Sequence, residues 1–316
     1  MRLFQKLRSH NRLLIINLVF LLIIVLIERF PGERWWPTLV LIYSPQQILV
    51  IPSVLLAAYF IRFKKWSAAI ITILPAGLIL MMLLGAPIQK NTSDNPSDLR
   101  ILTWNLYRGQ AGPSLPEMVT HVWPDVICIQ EGTPWSRKHL EKMLDKPQFR
   151  GWYSTECGEL IILSRLPMKR LGTTHSALWA SVDVNGEEVV IINAHFTAPF
   201  DARISDLVNP AKLNGAVRLR NKQTSQILDQ LPTDKPAVLC GDLNTPPNSA
   251  IYRILKSEMI DAFMETGSGF GLSYYRKLPL VRIDHIMVTP NITPVRCWMP
   301  KTAVSNHKPV CADLDI

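Results

Sequence analysis

VLCGDLN, from Val238 to Asn244, is a short apolar run that stops on a carboxylate and an amide two residues apart. Such a run, bounded by glycine and polar breakers, reads as a buried strand with Asp242 and Asn244 at its mouth. Alone it could be a turn, since Gly, Asp and Asn all favour turns. The pattern recurs on either side of it. Towards the N-terminus, IINAHF (Ile191 to Phe196) carries His195, VICIQE (Val126 to Glu131) ends on Glu131, and ILTWN (Ile101 to Asn105) ends on Asn105. Towards the C-terminus, RIDHIMV (Arg282 to Val288) carries Asp284, and SNHKPV (Ser305 to Val310) carries His307. Short strands ending in such residues bring carboxylates, amides and imidazoles to one edge of a sheet. That inventory suits a hard divalent cation and a phosphoryl group. Periodicity by itself says only that the fold is α/β.

Each residue has a chemical reason to be there. Glu131 is the expected anionic metal ligand, and Asn105 can offer a neutral carbonyl oxygen to the same Mg2+ or Mn2+. A cation held by one or two protein groups keeps room for a substrate phosphate. Water attacking phosphorus in line needs a nearby base, which Asp242 with the adjacent Asn244 amide supplies. His195 would donate to a non-bridging oxygen as charge builds. Asp284 and His307 read as a dyad in which the carboxylate fixes the imidazole tautomer and raises its basicity. His285 points to the opposite face if strand alternation holds. His121, His139 and His175 lack comparable context.

The ordered set, over roughly Asp98 to Ile316, resembles the endonuclease/exonuclease/phosphatase superfamily, the deoxyribonuclease-I-like fold. The resemblance implies a four-layer α/β sandwich, two mixed sheets face to face with helices outside, and metal-dependent hydrolysis of a phosphate ester. It also implies that Asp242 orients or deprotonates the attacking water and that Asn244 holds a phosphate oxygen or that carboxylate. One motif departs from the pattern. Where the family usually reads Ser-Asp-His, this chain has Ser305-Asn306-His307. Asn306 is neutral and at most a weak metal ligand, so one tightly used cation is expected.

The chain of 316 residues has a positive mean hydropathy. Most of that comes from three uncharged apolar runs, about 13–27, 38–61 and 67–88, in an anchor over 1–90. A bilayer core needs about 20 helical residues, so the second and third qualify on length and the first spans with snorkelling flanks. Pro45, Pro52 and Pro75 could kink them. Arg2, Lys6, Arg8 and Arg12 precede the first run, and Arg62, Lys64 and Lys65 separate the second from the third. The positive-inside rule places those segments in the cytoplasm and the domain over 98–316 on the extracytoplasmic face of the cell membrane. Residues 91–97 form a polar linker.

The formal net charge of +9 is concentrated in the anchor, which leaves the catalytic part nearly neutral. A duplex-binding nuclease usually displays a basic stripe. The best candidate patch is Arg218 to Lys222, at the start of a helix running to about Leu231; the alternative is a solvated face with Leu219, Ile227 and Leu231 turned inward. Of five cysteines, Cys128, Cys240 and Cys311 read as core thiols, whereas Cys157 and Cys297 could be accessible. The loop from Thr197 to Gly215 mixes Phe200, Ile204, Leu207 and Val208 with Arg203 and Lys212, a composition that could meet an anionic headgroup. The layout is similar to that of bacterial membrane-anchored members linked with lipid pyrophosphates and glycopeptide resistance. Expected partners are the bilayer and a phosphorylated substrate, lipid-linked or nucleic acid; no feature calls for an obligate protein partner. An extracytoplasmic nuclease and a non-catalytic binding module are the alternatives.

Overall fold

The computed structural model describes residues 2–30, 33, 35–87, 97–199, 209–274, 280–302 and 304–316. Near-continuous apolar runs belong to strands buried on both faces, and the chain from residue 98 onwards places them in two six-stranded mixed sheets. One holds β1 (Leu99–Asn105), β2 (Val126–Gln130), β3 (Tyr153–Cys157), β4 (Leu160–Ser164), β11 (Thr293–Trp298) and β12 (Val310–Asp315), in the order β11-β12-β1-β2-β4-β3. The other holds β5 (Met168–Thr173), β6 (Ala177–Val184), β7 (Glu187–His195), β8 (Ala237–Asp242), β9 (Ile260–Asp261) and β10 (Asp284–Val288), in the order β5-β6-β7-β8-β10-β9. Alternation along each strand divides the side chains. Ile101, Val126 and Cys128 meet Ile191, Val238 and Cys240 between the sheets, while Leu102, Trp104, Ile127 and Ile129 point outward.

The outward faces are covered by helices, which completes the expected sandwich. α5 (Leu115–Val122) and α6 (Pro134–Leu144) lie on the first sheet through Leu115, Val119 and Leu140. α7 (Pro210–Leu228) and α8 (Ala250–Glu258) lie on the second through Ile227, Ile251 and Leu255. Asn209 caps α7 by accepting from the Lys212 amide, with Pro210 in the first turn. Ser249 caps α8, and Asp261 caps the short α9 (Ala262–Thr266).

Before residue 90, α1 (Arg2–Arg29) and α4 (Trp66–Leu84) are long and apolar enough to cross a membrane. The expected single helix over 38–61 is not formed. It is broken into α2 (Trp36–Ile42) and a segment, Gln46–Arg62, that contains α3 (Ile51–Arg62); the two are bent by 93°. Pro45 disfavours helical backbone at Ser44. The Gln46 amide then donates to the carbonyls of Leu41, Ile42 and Ser44, satisfying the freed end of α2. An Asn17 Oδ1 acceptor on α1 meets the Ser53 hydroxyl of α3 at 2.8 Å.

Three further expectations are corrected. α7 begins at Pro210 rather than Arg218, so Lys212 lies in a helix. Within it Ile227 is buried, and Leu231 just beyond its end packs against the same core, as expected, but Leu219 is exposed and Arg220 is fully buried in its place. Cys297 is buried, not accessible. Most of the linker and Phe200 to Val208 lie outside the described residues.

Candidate active site

Strand direction explains why residues from so many motifs converge. β1 runs parallel to β2, and β7 parallel to β8, so their C-terminal ends share an edge. β12 and β10 run antiparallel to β1 and β8, which brings their N-terminal ends to that same edge. His195 is paired directly with Asp242, and Asp242 with Asp284. Paired residues point to one face of a sheet, so these three side chains lie in a row across β7, β8 and β10. Asn105 joins the two sheets. Its Nδ2 donates to Asp242 Oδ2 at 3.0 Å and to Glu131 Oε1 at 3.1 Å.

Asp242 is the hub. Oδ1 accepts from the Asn244 amide at 3.0 Å. The Nε2 atoms of His195 and His307 each lie 3.6 Å from Oδ2. That is close enough for charge attraction and too long for a hydrogen bond, so each Nε2 can still serve a substrate oxygen. On the far side of each ring a carboxylate holds Nδ1. For His307 it is Asp284, with both oxygens at 3.0 Å. For His195 it is Glu159, at 2.6 Å. Burial alone would depress the His307 imidazole, but the charges of Asp284 and Asp242 outweigh it and raise it to about 9. Burial likewise opposes the charged form of His195, and the Glu159 hydrogen bond with the Asp242 charge raises it to about 9. Burial pushes the Asp242 carboxyl up, and the His307 charge offsets part of that.

The backbone shows what this convergence requires. Glu131 and Asn244 have φ of +54° and +46°, left-handed values that cost non-glycine residues about 1–2 kcal/mol. Asn244 thereby turns its Nδ2 onto the Phe196 carbonyl at 2.9 Å, tying the Asp242 loop to the His195 loop. Gly241 has φ +141°, and a Cβ there would sit 1.9 Å from the Ala194 carbonyl oxygen. Only glycine fits beside Asp242.

The donor set fits a hard cation. Asp242, Asp284 and His307 have ligand atoms all within 4.8 Å of one another, but both Asp284 oxygens already face His307 Nδ1. Oxygen donors suit Mg2+ better than imidazole, which favours the neighbouring group of Glu131, Asn105 and Asp242. Glu131 is half-buried at the mouth, its Oε2 accepting the Arg108 amide at 2.5 Å. The side-chain Oδ1 of Asn105 accepts from the backbone amide of Tyr107 at 2.9 Å, so in this orientation its Nδ2 faces the carboxylates. Asn306 Oδ1 is buried with no partner among the described residues, an oxygen available to a cation. The Ser305 hydroxyl beside it donates to the backbone carbonyl of Asn105 at 2.8 Å, which links this loop to β1.

All eight sequence-predicted residues therefore belong to one edge. His285 lies apart, as alternation requires: Nε2 sits 2.7 Å from the Thr245 carbonyl, and Nδ1 faces a buried Asp261–Arg282 pair. Sequence reasoning missed Glu159, which sits in the tight turn between β3 and β4. It also missed Tyr274, whose ring is 4.8 Å from that of His307, and Arg220 with Gln223 on α7.

A buried carboxylate between two carboxylate-held imidazoles, with oxygen donors for a cation beside it, on a two-sheet sandwich, defines a metal-assisted hydrolase of phosphate esters. The sequence profile of the endonuclease/exonuclease/phosphatase family matches residues 102–307, and the chain belongs to that family. Solved structures share the fold. An AP endonuclease from Archaeoglobus fulgidus is 16% identical with a TM-score of 0.55, covering 69% of this chain and 100% of the other. An endonuclease/exonuclease/phosphatase from Beutenbergia cavernae is 19% identical with a TM-score of 0.51, covering 69% and 71%. A humanized D. rerio TDP2 is 18% identical with a TM-score of 0.51, covering 69% and 99%. Among curated protein sequences, none matches the chain.

Proposed function

We propose that this enzyme hydrolyses a phosphate ester or pyrophosphate carried on a membrane lipid, by in-line attack of water, at the extracytoplasmic face of the membrane. The observation that carries the reading is where the apolar helices meet the catalytic part. Asn248, six residues after Asp242, donates to Glu28 at the end of α1 at 2.9 Å. Gln47, just before α3, donates to the Leu280 carbonyl at 3.1 Å. Gly85, the left-handed cap of α4, lies so close to Pro247 and Arg282 that a Cβ would meet both at 2.7 Å. These contacts fall on the loops that carry Asp242 and Asp284. An active site held against a bilayer gains effective concentration for lipid-borne substrates.

The basic ends of the anchor support the orientation. His10 on α1 packs against Tyr59 and Phe60 near the end of α3, so Arg12 and Arg62 share the end remote from the catalytic part. The Gln46–Arg62 segment measures about 28 Å, from ~2.0 Å per residue in its first 3-10 turns and ~1.5 Å in α3, close to a ~30 Å hydrocarbon core. Three crossings with cationic loops on the cytoplasmic side follow.

In the reaction, Asp242 Oδ2 takes the proton of the attacking water as its oxygen bonds to phosphorus, and the opposite P–O bond breaks, its electron pair leaving on the alcohol or phosphate oxygen, which solvent protonates. Nδ1 of His307 and of His195 stays engaged by Asp284 and Glu159, so both Nε2–H groups face the reacting phosphoryl and donate to its non-bridging oxygens. Asn244 holds Asp242 in line through its amide. Glu131, Asp242, Asn306 and, once its amide is turned so that Oδ1 rather than Nδ2 faces the carboxylates, Asn105 would hold Mg2+ or Mn2+, which when bound supplies charge neutralisation at the phosphoryl group. Full-length protein in detergent with Mg2+, assayed against a polyprenyl pyrophosphate, a phospholipid and plasmid DNA, tests the reading. Release of phosphate from the lipid pyrophosphate or of headgroup from the phospholipid is expected. Cleavage of plasmid with no lipid turnover would replace it with a nuclease.

A further inference from the structure

Arg220 is fully buried in the middle of α7, in a stretch that reads as a solvated basic face. Its guanidinium contacts three separate segments. Nη1 donates to the Thr197 carbonyl at 2.6 Å, two residues after His195. Nη2 donates to the Thr245 hydroxyl at 2.8 Å, three residues after Asp242. Nη2 also donates to the Tyr43 hydroxyl at 2.6 Å, in the break between α2 and the following turn of the anchor. Tyr43 in turn donates to Glu33 Oε1 at 2.8 Å, so the chain of bonds ends on a carboxylate of the anchor that is itself buried. One turn along α7, Gln223 takes up the rest of Thr197: its Oε1 accepts the amide and its Nε2 donates to the hydroxyl, both at 3.1 Å.

We infer that Arg220 is a positioning residue through which the bent anchor segment fixes the two catalytic loops, so that the membrane region is a working part of the active site and not merely a tether. The physical reason is geometric. The His195 and Asp242 loops leave neighbouring strands, and their separation sets the span between the imidazole Nε2 and the carboxylate. A planar guanidinium carries its donors on separate nitrogens in fixed directions, so Nη1 and Nη2 reach acceptors farther apart than the three donors of one compact ammonium nitrogen can span. Burial makes each of those charge-assisted bonds costly to lose. The 93° bend at Pro45 presents Tyr43 to α7, which gives the break a purpose a straight span could not serve. This inference concerns the site proposed above but does not depend on its lipid substrate.

The test uses the full chain in detergent with Mg2+ and a soluble reporter, bis(4-nitrophenyl) phosphate, that needs no membrane. Tyr43→Phe removes one hydroxyl from the anchor and nothing from the catalytic part. It is expected to lower kcat about tenfold, with KM within about twofold, because misplacement affects the reacting geometry more than binding. Amide exchange in peptides covering 195–198 and 242–246 should accelerate in the same variant. Arg220→Lys should behave like Arg220→Met, failing to rescue. Wild-type kcat and unchanged exchange in Tyr43→Phe would overturn the inference. Should the wild type hydrolyse no phosphate ester, the functional reading fails, and the exchange rates still decide whether the anchor braces these loops.

Discussion

The imidazoles on either side of Asp242 are held in the same way but in different settings. His307 and Asp284 are both nearly inaccessible, 4% and 2% exposed at their side chains. His195 is 18% exposed, and its partner Glu159 is 52% exposed in a hairpin turn. In the buried pair both carboxylate oxygens face Nδ1, and little solvent screens the charge. In the exposed pair one oxygen makes the bond and water screens the rest, as at most surface ion pairs. Two similar dyads therefore contribute unequally: the buried one sets the chemistry and the exposed one orients.

Removing the group both dyads share should have the largest effect. Asp242→Asn keeps the shape but not the base, and kcat on bis(4-nitrophenyl) phosphate should fall about 10³-fold or more. Next comes the buried dyad. Asp284→Asn removes the carboxylate charge that keeps His307 protonated, which weakens donation from Nε2, and kcat should fall about 10²-fold. Glu159→Gln should cost only about threefold to tenfold. Added salt to about 0.5 M should erase part of the difference between Glu159→Gln and wild type while leaving Asp284→Asn unchanged. Equal losses in the two variants would break the distinction between buried and exposed dyads.

Stability should report the same contrast more weakly. The folded His307 value of about 9 lies above the unfolded value near 6.5. A base raised in this way stabilises the fold fully below about pH 6.5 and loses that contribution as pH rises through about 9. The thermal midpoint of Mg2+-free protein should therefore fall by several degrees between those values. His307→Gln should flatten the slope markedly, and Glu159→Gln only slightly. A midpoint that rises across this window in the wild type would contradict the assignment of a charged, buried His307.

What the sequence made legible follows the same division. Asn105, Glu131, His195, Asp242, Asp284 and His307 stand out because apolar strands frame them, and alternation correctly separates His285 from Asp284. Glu159 carries no such frame, since it follows Gly158 in a turn whose composition suits any hairpin. Arg220 was hidden because its helix begins eight residues earlier than the basic cluster suggests, capped by Asn209 in a stretch with little apolar period. The pairing of β1 with β12 joins segments about two hundred residues apart, and no local pattern encodes that. The bend at Pro45 was legible as a possible kink, but its function depends on Arg220, far along the chain.

The strand ends form one cation-assisted pocket around Asp242. The most direct measurement is the Mg2+ dependence of bis(4-nitrophenyl) phosphate hydrolysis by full-length wild type, Glu131→Gln and Asp242→Asn. Activity in the wild type should vanish with chelation. Glu131→Gln should raise the half-saturating Mg2+ about tenfold or more, while Asp242→Asn should lose turnover at every Mg2+ concentration. Activity that survives chelation, or a Glu131→Gln curve that overlays the wild type, would contradict a cation held at Glu131 beside Asp242.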